Sequence, residues 1–262
     1  MRVTVLGSGT SSGVPRIGGP DGRGDWGKCD PAEPRNRRRR PSLLIDDGPT
    51  RILIDTGADL RAQLLDAGIG RVDAVLYTHD HADHTHGIDE LRQLFHNSKQ
   101  PVDCYADIYT RERLLKRFGY VFEGGRGYPA TCNLHVLPPE LKIGSLTIRH
   151  FRQPHGNIDS LGFRFDNGEN AMAYSTDIKS LLPVAELELQ QLDLWIVDAL
   201  RPAPHPTHSH LAQTVEWIER LRPHRAVLTH MDNSMDYATL RRDLPPSIEP
   251  GYDGMTIDLG SS

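Results

Sequence analysis

Short apolar runs of strand length alternate along the chain with amphipathic runs of helix length. Runs rich in Val, Ile and Leu predict β-strands at Val3–Leu6, Ser42–Ile45, Arg51–Ile54 and Ala74–Tyr77. Apolar spacing of about 3.6 residues predicts helices over Asp59–Ala67 and Gln213–Leu221. The alternation indicates an α/β protein. Because no internal repeat or flexible linker divides the chain, we expect a single domain over residues 1–262.

The segment 7–41 interrupts this alternation and is rich in Gly and Pro, which predicts a long loop. Loops of this length inside compact domains are uncommon unless they are functional, so we expect an active-site border or a partner surface. The loop ends in the basic run Arg35–Arg40. The run fits either a solvated charge cluster or a contact to a phosphate or a second subunit, and the pattern leaves both open.

The composition is that of an ordinary soluble protein, with 37% hydrophobic and 25% charged residues. No apolar run approaches the roughly 18 residues of a membrane helix, and we expect neither a membrane span nor a secretory signal. A net charge of -5 gives no basic field, so no large nucleic-acid partner is expected. Three cysteines without a CxxC pair do not make a disulfide framework, and they suit the cytoplasm.

Histidine is the feature that points to chemistry. The chain has 13 His residues, and an H-x-H-x-D-H motif at 79–84 follows the apolar run Ala74–Tyr77. Because side chains at i and i+2 of a strand point the same way, His79 and His81 can converge on one metal ion. The following turn would bring Asp83 and His84 to a second ion. Histidine is the commonest metal ligand, so we interpret the motif as a metal site.

Four further candidate ligands stand where strand-like runs end: Asp55, His155, Asp177 and His230. Binding sites in layered α/β proteins collect at strand ends, so this repeated placement supports a shared site. For Asp55 an alternative is open, since an Asp before Thr56–Gly57 can also cap a turn.

Taken in order, this set of residues resembles the metallo-β-lactamase superfamily over nearly the whole chain. The resemblance implies a four-layer αββα sandwich with a dinuclear metal site in the groove between its two β-sheets. It assigns seven residues to the ions, with His79, His81 and His155 on the first, Asp83, His84 and His230 on the second, and Asp177 as the bridge. It also implies that Asp55 orients ligands through hydrogen bonds.

The ligand types indicate which members of the superfamily this chain resembles. Well-known zinc β-lactamases carry a cysteine where this chain has Asp177, and a carboxylate favours an oxygen-rich pair of sites suited to Zn²⁺ or Mn²⁺. We therefore expect two divalent metal ions per chain. Two ions about 3.5–4 Å apart can stabilise the displacement at a phosphoryl group, so a phosphoester substrate is favoured over a β-lactam.

A finer resemblance is to the phosphodiesterases that act on phosphoribosyl cyclic phosphate in the carbon–phosphorus lyase pathway. It is carried by five segments, at 6–15, 36–42, 207–211, 228–230 and 252–255. This resemblance implies hydrolysis of a small, cyclic phosphate ester such as phosphoribosyl 1,2-cyclic phosphate, and it implies a homodimer. It makes His208 the general acid for the leaving oxygen, with Asp83 as an assisting catalytic residue.

The chain departs from that branch at one point. The relatives carry a structural zinc site made of three cysteines and a histidine, whereas here only Cys29 and Asn233 stand at the matching places. We therefore expect no third zinc ion.

Two other functions stay open. A tRNA 3′-processing endonuclease shares the metal pattern but needs a basic arm to grip tRNA, and a non-catalytic binding module could use the same fold. His208 and His210 also fit an exposed segment leading into the helix at 213–221.

Overall fold

The computed structural model describes residues 1–125 and 127–260. Its strands form two seven-stranded sheets. The first sheet contains β1 (Arg2–Gly7), β2 (Ser42–Asp46), β3 (Arg51–Ile54), β4 (Ala74–Leu76), β5 (Val102–Ala106), β6 (Cys132–Val136) and β14 (Thr256–Asp258). The strand order is β14-β1-β2-β3-β4-β5-β6, and the four strands from β3 to β6 run parallel. The predicted strands all lie within this sheet.

The second sheet contains β7 (Glu140–Ile143), β8 (Leu146–His155), β9 (Ile158–Asp166), β10 (Ala171–Ser175), β11 (Leu194–Asp198), β12 (Arg225–Thr229) and β13 (Ile248–Pro250). Its order is β13-β12-β11-β10-β9-β8-β7, and β10 to β13 run parallel. Each sheet therefore has a parallel half, and the carboxyl ends of parallel strands share one edge of a sheet.

Seven α-helices are described: α1 (Leu60–Asp66), α2 (Ala82–Thr85), α3 (Leu91–Ser98), α4 (Ile108–Glu123), α5 (Pro183–Glu188), α6 (Leu211–Leu221) and α7 (Tyr237–Asp243). The helices predicted at 59–67 and 213–221 correspond to α1 and α6. The longest helix has 16 residues. Within the described ranges none combines the length and apolarity that a membrane-spanning helix needs.

Three apolar cores hold the layers together. The central core lies between the sheets and joins Val3, Ile45 and Ile54 of the first sheet to Phe163 and Ile196 of the second. A second core packs α1, α3 and α4 on the outer face of the first sheet. A third packs α5, α6 and α7 on the outer face of the second. Helix, sheet, sheet and helix therefore follow one another, which confirms the predicted αββα sandwich.

The stretch between β1 and β2, residues 8–41, has one helical element, a 3₁₀ turn at Pro34–Asn36. Its arginines contact their own chain. Arg39 and Arg40 pair with Asp66 and Asp59 at 2.7 and 3.1 Å. Arg35 pairs with Glu33 at 2.9 Å and stacks on Tyr237. Arg37 stacks on Trp26, and Arg38 is buried beside Cys29. The run therefore fastens the loop to the rest of the molecule.

Candidate metal centre

The candidate residues lie where strands of both sheets end. Asp55 follows β3, the motif at 79–84 follows β4, and His155 is the last residue of β8. Asp177 and His230 follow the parallel strands β10 and β12. The sandwich therefore places side chains from both sheets around one groove, and all seven predicted ligands fall into two clusters there.

The first cluster contains His79, His81, His155 and Asp177. The Nε2 atom of His155 lies 3.3 Å from Nδ1 of His81 and 3.4 Å from Oδ1 of Asp177. The Nε2 atom of His79 lies 3.9 Å from the same Oδ1. Three imidazole nitrogens and one carboxylate oxygen thus face one point, which is a ligand set suited to zinc.

The second cluster contains Asp83, His84, His230 and again Asp177. The Nε2 atom of His84 lies 3.1 Å from Oδ2 of Asp177 and 3.3 Å from Oδ2 of Asp83. The Nε2 atom of His230 lies 3.3 and 3.6 Å from the same two oxygens. Asp177 therefore offers Oδ1 to one cluster and Oδ2 to the other.

The donor atoms fit metal ions because several have no other partner. The Nε2 atoms of His79, His84 and His230 are buried and make no hydrogen bond. An unpaired buried polar atom destabilises the folded protein, so three such nitrogens would be unfavourable if their only role were to pack in the core. A cation in each cluster would satisfy all three nitrogens. The donor set therefore supports divalent metal binding.

The charges in the centre point the same way. Burial opposes ionisation of Asp177, but His230 and His84 hold its pKa well below the usual range. Burial likewise opposes protonation of His230, and Asp177 and Asp83 nevertheless raise its pKa to about 9. Asp83 has a lowered pKa as well, and without a cation protons on His230 and His84 compensate the two carboxylates. A metal ion would take the place of those protons.

Hydrogen bonds hold several ligand rings from behind. Nδ1 of His84 donates to Oδ2 of the fully buried Asp55 at 2.7 Å. Thr78 donates its backbone N–H and its hydroxyl to the two oxygens of Asp55, each at 2.8 Å. The same hydroxyl lies 3.0 Å from Nδ1 of His79. Contacts of this kind fix the orientation of metal-ligating imidazoles, and Asp55 makes them rather than facing a cluster itself.

Three residues of the centre have left-handed backbone conformations. The φ angles are 63° at Asp55, 52° at Asp177 and 58° at His230. Such φ values are uncommon for residues other than Gly and concentrate at functional sites. At each of these positions the chain turns sharply as it leaves a strand, which aims the side chain into the groove.

His208 lies beside both clusters. It is 8% exposed, its ring stacks on His230 at a centroid distance of 4.8 Å, and its Nε2 lies 3.8 Å from Oδ1 of Asp177. Its Nδ1 donates to Oδ2 of the buried Asp198 at 2.8 Å. The expectation that His208 belongs to an exposed segment is wrong, because the loop before α6 folds back over the centre.

Asp198 was not found by sequence reasoning. It ends β11, and a strand-end Asp after the apolar run Leu194–Val197 is the same signal that marked Asp177. His210 is the N-cap residue of α6 and lies 3.3 Å from Oε1 of Gln213 through Nδ1, so it belongs to the start of the helix. His86 is exposed and packs edge-on against Phe118.

A cavity of about 290 Å³ opens onto the clusters. Apart from the metal-centre residues and His208, it is lined by Ser11, Gly156, Asn157, Ile158 and Thr207. Ser11 comes from the Gly/Pro-rich loop, so this loop does border the site. None of these lining residues is charged, and none is aromatic.

Comparison with known proteins agrees with this geometry. Residues 50–231 match the β-lactamase superfamily domain. The chain is 33% identical to a diphosphatase of the PhnP family, whose crystal structure it matches with a TM-score of 0.86 over 98% of this chain and 97% of that one.

Several relatives match by sequence, and two of them illustrate the range. One is an octanoyltransferase of Porphyromonas gingivalis, 36% identical over 97% of this chain but only 51% of that protein. Another is a ribonuclease Z of Bradyrhizobium sp. strain ORS 278, 33% identical over 50% of this chain and 46% of that protein. The chain spans about half the length of the octanoyltransferase. By the match over residues 50–231, this chain belongs to the β-lactamase superfamily and has the His/Asp metal-binding site of a hydrolase, as its sequence predicted.

Proposed function

We propose that this chain binds two divalent metal ions, Zn²⁺ or Mn²⁺, and hydrolyses a small, cyclic phosphate ester. The observation that carries the proposal is the position of Asp177, which directs one oxygen to each ligand cluster. Two adjacent cations bridged by a carboxylate suit an in-line displacement at phosphorus. In this proposal His79, His81 and His155 hold one ion, and Asp83, His84 and His230 hold the other.

When bound, the two ions supply charge neutralisation for the phosphoryl oxygens and lower the pKa of a water molecule. The chain supplies the proton. His208 donates it from Nε2 to the departing alkoxide, while Nδ1 stays hydrogen-bonded to Asp198. That hydrogen bond fixes the orientation of the ring. Asp83 faces the second cluster and assists there.

The cavity supports a small substrate. Its volume of about 290 Å³ is at the low end for ligand pockets, and its lining has no aromatic platform for a base. A sugar cyclic phosphate such as phosphoribosyl 1,2-cyclic phosphate is a compact diester of this kind. The homodimer implied by the sequence resemblance and the cytoplasmic location indicated by the cysteine content are part of the same proposal.

A diphosphate-bridged substrate is a second candidate. It is supported by the likeness to the PhnP-family diphosphatase, which extends over almost the whole of both chains. The same two-ion centre would serve that reaction, since it also displaces an oxygen at phosphorus.

A tRNA 3′-processing activity has less support. The similarity to ribonuclease Z covers only 50% of this chain, and the net charge of -5 provides no general attraction for RNA. This activity is therefore not part of the proposal, and the substrate panel below tests it as an alternative.

The test is a substrate panel run on protein loaded with Zn²⁺ or Mn²⁺, with elemental analysis of the same samples. The panel contains phosphoribosyl 1,2-cyclic phosphate, a 2′,3′-cyclic nucleotide, a dinucleoside diphosphate, a tRNA precursor and bis(p-nitrophenyl) phosphate. We expect two ions per chain and the highest kcat/KM on a small cyclic ester. Preference for the diphosphate would select the second candidate. Cleavage of tRNA alone, or no turnover by two-ion protein, would contradict the proposal.

A further inference from the structure

Asp80 stands between two of the proposed ligands, His79 and His81, and it is only 3% exposed. Arg117 of α4 holds it at two points. Nη1 of Arg117 donates to the backbone carbonyl oxygen of Asp80 at 2.5 Å, and Nη2 donates to Oδ2 at 2.6 Å. Nε of Arg113, one helical turn earlier, lies 3.8 Å from the same Oδ2. One guanidinium group therefore fixes both the main chain and the side chain of Asp80.

The helix that provides Arg117 is firmly placed. Leu114 and Val121 of α4 are buried in the core over the first sheet. At the start of the helix, the carboxylate of Asp107 accepts the backbone N–H of Thr110 at 2.8 Å. Arg117 thus connects the firmly packed helix α4 to the segment that carries His79 and His81.

A second contact joins α4 to the other ligand segment. Phe118 has φ -128° and ψ 27°, which interrupts the helical geometry directly after Arg117. Its ring lies 5.7 Å from the ring of His86, the residue that follows α2. Because α2 carries Asp83 and His84, α4 contacts the chain both within the 79–84 motif, at Asp80, and directly after α2, at His86.

His81 is the ligand that depends most on this support. The rings of His79 and His155 are held from behind by the hydroxyl of Thr78 and the carbonyl of Thr207. Among the described residues, the ring of His81 makes one hydrogen-bond contact, with Nε2 of His155, and the backbone carbonyl of His81 accepts from Thr85 and His84. Its ring is also exposed, unlike those of the other ligands of its cluster. The position of this ring is therefore set by its backbone, which leaves Asp80 directly.

We propose that Arg117 is a positioning residue, which holds the peptide at Asp80 so that His79 and His81 converge on the first ion. The inference rests on the proposed metal centre. It does not assign Arg117 any contact with substrate or with a metal ion. Its effect passes through the backbone of residues 79–81.

The main test compares Arg117→Met with Lys116→Met, which removes one positive charge from the neighbouring position of the same helix. Stepwise affinities for two Co²⁺ ions are measured by chelator competition and visible absorption. In Arg117→Met we expect one ion to bind about 10–100-fold more weakly, the range for lost contacts behind a ligand, and the other to be unchanged. The weakened ion should be the one lost in His155→Ala. Lys116→Met should match the wild type.

Arg117→Lys should recover only part of the affinity, because an ammonium group cannot make the paired contact of a guanidinium. Equal weakening of both ions in Arg117→Met, or unchanged affinity for both, would overturn the proposal. Full recovery of affinity in Arg117→Lys together with a lowered unfolding midpoint would also overturn it, because Arg117 would then contribute only to general stability.

A second measurement does not depend on metal binding. In metal-free protein, the amide of His84, which donates to the backbone carbonyl of His81 at 3.1 Å, should exchange with solvent faster in Arg117→Met than in Lys116→Met, while amides of β4 stay unchanged. If wild-type protein binds fewer than two ions but this difference is present, the proposed function fails and the positioning role stands. Identical exchange in the two variants counts against the positioning role whatever the metal content.

Discussion

Oδ2 of Asp198 accepts a hydrogen bond from Nδ1 of His208 at 2.8 Å, and both side chains are buried next to the metal centre. An aspartate in this position orients an imidazole, as a proton donor to a leaving group requires. The same imidazole stacks on His230, so the proposed proton donor and a proposed metal ligand lie side by side.

The first prediction tests the proton donor. His208→Ala should keep both metal ions and lose about 10²–10⁴ in rate on a diester with an alkoxide leaving group. The loss should be much smaller on bis(p-nitrophenyl) phosphate, because p-nitrophenolate needs little protonation as it leaves. Asp198→Asn should show the same dependence on the leaving group. Equal losses on both substrates, at matched metal content, would assign His208 to binding instead.

The second prediction concerns the shared carboxylate. Asp177→Ala removes an oxygen donor from each cluster and leaves two cations facing each other with less negative charge between them. We expect at least one ion to be lost and turnover to fall severely. Asp177→Asn keeps the shape and removes the charge, so it should retain more metal than the alanine variant. Elemental analysis after dialysis checks both, and normal metal content with a normal rate in Asp177→Ala would exclude the bridge.

The third prediction concerns the thiol of Cys29, which lies in the Gly/Pro-rich loop. Cys29 is 3% exposed, and its Sγ accepts a long contact from Nη1 of Arg38 at 3.8 Å. A cation already occupies its surroundings, so we expect no zinc ion there. Cys29→Ser should leave the metal content at the wild-type level and lower the free energy of unfolding by about 1 kcal/mol. Loss of one equivalent of zinc in this variant would show that the thiol is a metal ligand.

The fourth prediction concerns pH and the partly buried Asp253. Burial raises the pKa of this carboxyl group to about 6. The backbone N–H groups of Arg39 and Ser8 donate to it at 2.7 and 2.9 Å, and these hydrogen bonds lower the pKa by less than burial raises it. The folded protein therefore binds this proton more tightly than the unfolded chain does. The resulting stabilisation is present in full below about pH 4 and is lost as the pH rises through about 6.

In chelator, the free energy of unfolding of the wild type relative to Asp253→Asn should therefore fall by about 2 kcal/mol between pH 4.5 and 7. Urea unfolding at several pH values measures this difference, and the asparagine variant removes the contribution of the other titrating groups. A difference that does not change with pH would mean that Asp253 titrates in its ordinary range.

Much of the fold and most of the ligand set could be predicted because they depend on local patterns. Local pattern was sufficient to identify the strands at 3–6 and 74–77 and the helices α1 and α6. The spacing of apolar residues along an element reflects which of its faces is buried. The ligands His79, His81, Asp83 and His84 stand within six residues, where strand geometry alone relates their directions. Asp177 and His230 could be named because each directly follows a buried strand.

The tertiary structure decided what these residues do together. Asp177 serves two clusters only because the two sheets pack face to face and bring β4, β10 and β12 to one groove. Asp80 and Arg117 are 37 positions apart and meet because α4 packs on the first sheet. Asp198 meets His208 because the loop before α6 folds back over the groove. No periodic pattern encodes such contacts, because they depend on how the layers pack rather than on which face of an element is apolar.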